Sequence, residues 1–209
     1  MDTLPGKTVE RLSQYRRRLL NLLDDNVEYI FSHELAEIIQ ISAVQVRRDL
    51  MLLGFSSVHR KGYPVEMLIE VIGQSLDDEK GQNVAIIGMG NLGNALASYL
   101  NGIRPKLKIV ALFDIDKKKE GMEVVGVKCY PLSDLGKVIK SKRVSIGVIT
   151  VPQTSAKKVA AQLVKNGIKG ILNFTHIPLN VPANVSLEEY DMITSLEKVA
   201  YFVKESQEK

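Results

Sequence analysis

Six residues near the middle of this 209-residue chain leave few folds open to it: Gly88-Met89-Gly90-Asn91-Leu92-Gly93, set directly after the apolar stretch Asn83 to Ile87. A G-x-G-x-x-G run between a strand and a helix is the spacing of a dinucleotide-binding turn. The first glycine permits the tight turn, the second lets a pyrophosphate reach the backbone, and the third lets helix and strand pack closely. The helix start then offers N–H groups without intrahelical partners, and the positive end of its dipole, to the phosphates. Gly88, Gly90, Asn91, Leu92 and Gly93 are therefore the expected cofactor-binding residues. Asp114 completes the pattern at the end of the second expected strand, 21 residues past Gly93 (114 − 93). A carboxylate there accepts a hydrogen bond from a ribose 2′-OH and repels a 2′-phosphate, which favours NADH and NAD⁺ over their phosphorylated forms. Lys117, Lys118 and Lys119 lie close by and are able to read a 2′-phosphate. The same turn also serves domains that bind coenzyme A or other adenine nucleotides.

Around this turn, short β-branched runs alternate with helical stretches, the order of a parallel sheet with crossover helices. Strands are expected over 83–87, 109–113, 144–151 and 169–173, and helices over 92–100, 133–140 and 155–165. The fold class is α/β, a Rossmann-like doubly wound sheet. A dehydrogenase would also need a substrate pocket and a proton-moving group. His33, His59 and His176 fall away from the turn, no Tyr-x-x-x-Lys pair stands beside it, and the stretch after Asn173 is short for a catalytic domain. No catalytic residue is assigned. Cys129 is the single cysteine, expected in a strand as part of the core; it leaves no disulfide and no metal cluster to build, which fits a reducing cytoplasm.

The amino-terminal part has a different organisation. Residues 8–24 place Val9, Leu12, Tyr15, Leu19, Leu22 and Leu23 at helical spacing, with Arg16, Arg17 and Arg18 on the polar side. A second helix is expected from Ser32, as N-cap, through Ile39. After Gln40 and Ile41, Ser42-Ala43-Val44-Gln45 has capping-box spacing, so that a third helix begins near residue 43 and buries Val44, Val46, Leu50 and Leu53. Gly54 is placed to close it in the left-handed conformation. Two helices joined by a short turn, then a polar stretch ending in Gly62-Tyr63-Pro64, give the order of a winged helix-turn-helix. Ser42, Gln45, Arg47 and Arg48 at the start of the third helix, with His59, Arg60 and Lys61 in the wing, are the expected DNA-binding residues. Arg forks onto guanine and Gln onto adenine in the major groove, although Gln and Arg are also ordinary surface residues. Net charge does not decide the matter, since residues 1–80 hold 10 basic and 13 acidic side chains (10 − 13 = −3) and residues 81–209 hold 18 and 11 (18 − 11 = +7).

A helix over 65–76 leads into the acidic run Asp77-Asp78-Glu79-Lys80-Gly81, read as a linker. The expected domains are a winged-helix DNA-binding domain at 1–80, a Rossmann NAD(H)-binding domain at 81–190, and a carboxy-terminal helix at 191–209. Ile193, Leu196, Val199, Ala200 and Val203 line one face of that helix. Ordinary packing on its own domain is the first expectation for that face, and packing across a dimer the second. With 45% hydrophobic and 25% charged residues the chain can form a real core. Its longest apolar runs are far shorter than the roughly 20 residues of a membrane span, and no secretory signal is expected at its start.

These residues together resemble the Rex family of bacterial redox-sensing transcriptional repressors. The likeness runs through Thr8-x-x-Arg11-Leu12-x-x-Tyr15, Gln45-Val46-Arg47-Arg48-Asp49-Leu50, Gly88-x-Gly90-Asn91-Leu92-Gly93-x-Ala95-Leu96, Phe113-Asp114, Thr150-Val151-Pro152 and Gly167 to Phe174. The resemblance implies a homodimer whose winged helices bind operator DNA, whose Rossmann domains bind NADH or NAD⁺, and whose carboxy-terminal helix is exchanged between subunits. It implies that Thr150, Val151, Pro152 and Tyr99 face the nicotinamide. It also implies that Asp191 contributes across the dimer and that Arg17 ties the DNA-binding domain to the nucleotide domain. NADH would favour a closed dimer that releases an inverted-repeat operator. The wing departs from the family's Gly-x-Arg-Gly-x-Gly-Tyr, reading Ser57-Val58-His59-Arg60-Lys61-Gly62-Tyr63, and His176 stands where the family tends to have proline. Two other functions are weighed beside a cytoplasmic redox-sensing repressor: a small NAD(P)H-dependent reductase, and a nucleotide or coenzyme A binding module with altered DNA recognition.

Overall fold

The structure is a computed structural model that describes residues 3–55 and 61–207. The chain divides into two compact units, Met1–Glu79 and Lys80–Lys209.

In the first unit, α1 (Gly6–Asp24), β1 (Tyr29–Ile30), α2 (Ser32–Ile39), α3 (Ala43–Leu52), β2 (Tyr63–Pro64) and α4 (Val65–Leu76) surround one core. Leu12, Tyr15 and Leu19 of α1 are fully buried, with Leu50 of α3 and Leu68 and Ile72 of α4. Val9 and Leu23 stay about two-fifths exposed, because the buried stripe of α1 shifts toward Thr8 and Arg16. Arg16 thus leaves the expected polar face: it is buried, and its Nη1 donates to Asp77 at 2.7 Å. Val44, expected in the core, is half exposed at the first turn of α3.

The helix ends show how local chemistry sets the elements. Phe31, not Ser32, is the N-cap of α2, and its N–H donates to Glu34 at 2.6 Å. The Ser42 hydroxyl accepts the Gln45 N–H at 3.2 Å, as expected of an N-cap, but the Gln45 side chain turns away to Asp49, so the reciprocal half of the capping box does not form. At the other end Gly54 takes φ +77, while Gly54 and Phe55 N–H groups return to Met51 and Leu50 carbonyls at 3.0 Å, the double bond of a Schellman motif. The β1 and β2 strands pair antiparallel at the base of the wing. His59 and Arg60, assigned to the wing from sequence, lie outside the described residues.

In the second unit, β3 (Gln82–Ile87), α5 (Asn91–Leu100), β4 (Leu107–Asp114), β5 (Glu123–Val124), β6 (Val127–Pro131), α6 (Leu135–Ser141), β7 (Val144–Ile149), α7 (Gln153–Lys165), β8 (Gly170–Asn173), β9 (Ser186–Glu189) and α8 (Met192–Gln207) follow in order. The sheet order is β5-β6-β4-β3-β7-β8-β9, with every neighbouring pair parallel except β5 with β6. Counted from β3 and setting β5 aside, this is the 3-2-1-4-5-6 order of a dinucleotide-binding sheet. Ala85, Ile87 and Phe113 face one layer, and Val84, Ile86 and Leu112 face the other. Both faces are covered, so these strands read as unbroken apolar runs in the sequence. The direction of winding reverses between β3 and β7, and their carboxyl ends therefore open a crevice there.

Helix α8 is the exception to this packing. Ile193, Leu196, Val199, Tyr201, Phe202 and Val203 remain 50–66% exposed, so the expectation that its apolar face packs on its own domain is overturned. No helix among the described residues is long and apolar enough to cross a membrane.

Candidate dinucleotide and nucleic-acid sites

A cleft of about 490 Å³ lies at the crevice between β3 and β7. Gly88, Gly90, Asn91 and Leu92 line it from the first turn, Asp114 from the end of β4, and Thr150, Val151 and Pro152 from the end of β7. Residues from three separate strand ends, expected from sequence, are thus gathered in one place. Ile115, Lys119, Leu132, Ser155 and Val159 line it as well, and none of these was assigned as a site residue.

Each glycine of the turn has its own reason to be there. Gly88 has φ +102, and a Cβ on it would lie 2.8 Å from the Thr150 carbonyl. A Cβ on Gly93 would overlap the carbonyl oxygen of Gly88, so this residue sets how closely α5 packs on the turn. A Cβ on Gly90 would meet nothing within 4 Å. The absence of a side chain at Gly90 thus serves no contact inside the protein, and the open space beside α5's first turn fits the approach of a pyrophosphate. Thr150 latches the two strand ends together, its hydroxyl donating to the Gly88 carbonyl at 2.7 Å. The residues present fit a dinucleotide.

Asp114 is held firmly. Its Oδ2 accepts the Met89 N–H at 2.8 Å and the Lys119 ammonium at 2.7 Å, and its Oδ1 accepts the Asp116 N–H at 2.9 Å. Burial works to raise this carboxyl, but the Lys119 ammonium and the two N–H donors hold it below the ordinary carboxylate range. Lys119 is raised in turn, chiefly by its hydrogen bond to Asp114. Cys129 is buried in β6, and burial pushes its thiol up, away from nucleophile character.

Two residues expected beside the nicotinamide do not line this cleft. Tyr99 is 69% exposed on α5. Asp191 caps α8, accepting the Ile193 and Thr194 N–H groups at 2.9 and 3.1 Å and the Thr194 hydroxyl at 2.7 Å, with His176 Nδ1 at 3.2 Å. A second cleft, about 670 Å³ between α7 and residues 178–182, contains none of the expected site residues.

In the first unit, Arg47 and Arg48 are exposed on α3, while Arg47 Nη1 donates to the Ser32 hydroxyl at 3.1 Å. Gln45 is partly buried, and its amide donates to Asp49 at 2.9 Å. Lys61 stands with its ammonium 5.9 Å from the Tyr29 ring centroid, beside the β1–β2 pair. Arg17 is exposed on α1. Asp49, which sequence reasoning did not single out as a site, is 1% exposed and organises the whole face behind α3. Arg11, Tyr15 and Gln45 all converge on it, and Arg11 also donates to Thr8 at 3.1 Å. The sequence signals were polar residues at core-facing helical positions and the presence of Thr8, Arg11, Tyr15, Gln45 and Asp49 in the motifs of the resemblance.

Residues 3–50 match the family described as "Putative DNA-binding protein N-terminus", and residues 79–177 match "CoA binding domain". Over nearly its whole length the chain is similar to proteins named redox-sensing transcriptional repressor Rex. It is 34% identical to that of Lactobacillus gasseri (99% of this chain, 96% of the relative), and 38% identical to that of Syntrophobacter fumaroxidans (95% of each). Among solved structures it is similar to RSP, a Rex-family repressor, at 33% identity. RSP in complex with β-NAD⁺ and operator DNA superposes with a TM-score of 0.90, covering 99% of this chain and 95% of that one. RSP with β-NADH gives 0.86, covering 99% and 97%.

Proposed function

The chain belongs to the Rex family of redox-sensing transcriptional repressors, and from that premise we propose that it represses transcription by binding operator DNA and releases it when NADH binds. The observation that carries this reading is the cleft itself: the glycine turn, Asp114 and Thr150 to Pro152 meet at the switch point of a sheet whose relatives hold the two redox forms of NAD. Arg47, Arg48, Gln45, Ser42 and Lys61 of the first unit, with His59 and Arg60 of the wing, carry the DNA contact. The protein acts in the cytoplasm and regulates rather than turning substrate over.

It works as a homodimer on an inverted repeat, with the two α3 helices entering the major groove about one helical turn apart. The exposed apolar face of α8 supports exchange of that helix with the second copy. Tyr99 and Asp191, which the single chain leaves outside the cleft, complete the nicotinamide end in that dimer. When bound, the cofactor supplies a redox-dependent charge on its nicotinamide ring. This chain's residues supply its phosphate and ribose contacts.

NADH must bind the DNA-free arrangement more tightly than the DNA-bound one, or nothing switches. The coupling is reciprocal, so operator DNA weakens NADH binding by the same factor. Fluorescence anisotropy on a duplex site enriched from a random pool tests this at stated salt, because phosphate contacts make affinity salt-dependent. Specific binding that NADH releases and NAD⁺ does not is the expected result. Equal NADH affinity for free and operator-bound protein, or steady NADH consumption over a panel of carbonyl substrates, would overturn it.

A further inference from the structure

A carboxylate has about four lone-pair sites, enough to accept from both vicinal hydroxyls of a ribose when it is otherwise unengaged. Asp114 is not unengaged. Met89 N–H and the Lys119 ammonium take Oδ2, and Asp116 N–H takes one site on Oδ1, which leaves one site on Oδ1. Asp114 can therefore receive one ribose hydroxyl, and the other must find a partner elsewhere in the cleft. Lys119 is that partner by position and by chemistry. Its side chain lines the same cleft and is 32% exposed, while its ammonium has three donors, one of them spent on Asp114.

The backbone puts it there. Asp116 accepts the Lys118 N–H at 2.9 Å and so opens the 3₁₀ turn Lys117–Lys119, which brings the third lysine of the run back onto Asp114. Lys117 and Lys118 do not line the cleft, so the three lysines that look alike in sequence are not equivalent.

We propose that Lys119 is a cofactor-binding residue: Asp114 Oδ1 accepts from one hydroxyl of the adenosine ribose, and the Lys119 ammonium donates to the oxygen of the other. The diol is read by an acid and base side by side rather than by the carboxylate alone. This inference rests on the dinucleotide reading above and names a contact within it.

The test compares the full-length protein with Lys119→Met and Lys119→Arg. NADH affinity is read by NADH fluorescence, and AMP, 2′-deoxy-AMP and 3′-deoxy-AMP are titrated as competitors. Lys119→Met is expected to weaken NADH and AMP by about tenfold, the scale of one hydrogen bond from a charged donor. One of the two deoxy competitors, having already lost the hydroxyl that Lys119 reads, is expected to bind wild type and Lys119→Met alike, and Lys119→Arg to recover most of the loss. An unchanged NADH affinity in Lys119→Met would overturn the assignment. So would equal weakening of AMP and both deoxy forms, which is what a merely structural role for Lys119 produces. Wild-type protein that binds no NADH would instead remove the dinucleotide reading, and this inference with it.

Discussion

Arg11 and Asp49 stand 38 positions apart in the chain and meet in a two-pronged ion pair, Arg11 Nε and Nη2 donating to the two carboxylate oxygens at 2.6 and 2.7 Å. Tyr15 adds its hydroxyl at 2.8 Å, so helix α1 is bolted to the helix that carries Arg47 and Arg48. Removing Asp49 leaves the partly buried Arg11 guanidinium and the Tyr15 hydroxyl without their acceptor, which costs about 1–3 kcal/mol. Asp49→Ala is expected to unfold the first unit at markedly lower urea, followed by circular dichroism, and to abolish operator binding while NADH affinity survives.

The same cluster sets a pH window. Burial alone would raise the Asp49 carboxyl, but hydrogen bonds from Arg11, Tyr15 and Gln45 outweigh it and hold the group below its ordinary value. A carboxylate lowered on folding contributes stability above its unfolded value of about 3.9, and that contribution goes as pH falls through the lower folded value. Tyr15 moves the other way, pushed up first by burial and then by Asp49. Its contribution is whole below about 10 and is lost as pH rises toward the folded value. Urea midpoints of the first unit should therefore be flat between these limits and fall on both sides. Tyr15→Phe should abolish the alkaline fall.

Two glycines of one turn should fail in different ways. Gly93→Ala places a methyl on the Gly88 carbonyl oxygen, so the second unit loses stability and NADH binding together. Gly90→Ala meets nothing within the protein, so the melting temperature should hold while NADH affinity falls. A Gly90→Ala protein that binds NADH as wild type does would show that the pyrophosphate lies elsewhere.

Asp191 should titrate low. The Thr194 hydroxyl and N–H, with His176 and the Ile193 N–H, hold its carboxyl down to about 2. Its support for the start of α8 is present above the unfolded value of about 3.9 and is lost as pH falls through about 2. Carbon-13 NMR of the side-chain carboxyl reads this directly. Thr194→Ala should move the titration up toward the ordinary value, and a titration that stays near 2 would contradict the capping role.

Among the arginines, burial separates structure from DNA contact. Arg16 is buried on Asp77, so Arg16→Ala should lower stability and leave the salt dependence of DNA binding unchanged. Arg48 is exposed on α3, so Arg48→Ala should cost operator affinity about tenfold or more at unchanged stability.

Periodicity and punctuation alone made most of this molecule legible. The bounds of α4 and the left-handed closure at Gly54 follow from local rules, because caps and turns are decided by residues a few positions apart. The glycine turn is legible from its spacing too: Gly88 and Gly93 answer steric demands of the chain, while Gly90 meets nothing within the protein and leaves room for a ligand. Strand β9 was not expected: Ser186–Glu189 is short and polar, and only its place next to β8 makes it a strand.

The partners of individual side chains were beyond that kind of reading. Arg16 looked like its neighbours Arg17 and Arg18, and Lys119 like Lys117 and Lys118, because residue type says nothing of which member of a run turns inward. Nothing in the sequence shows that Asp49, four residues on, takes a hydrogen bond from the Gln45 amide. From its sequence the protein could be known as a winged helix-turn-helix followed by a dinucleotide-binding sheet, since both rest on short-range pattern. Which charges are buried, which lysine reaches Asp114, and which apolar face is left open on α8 were settled by tertiary structure, because burial and pairing depend on contacts between residues far apart in the chain.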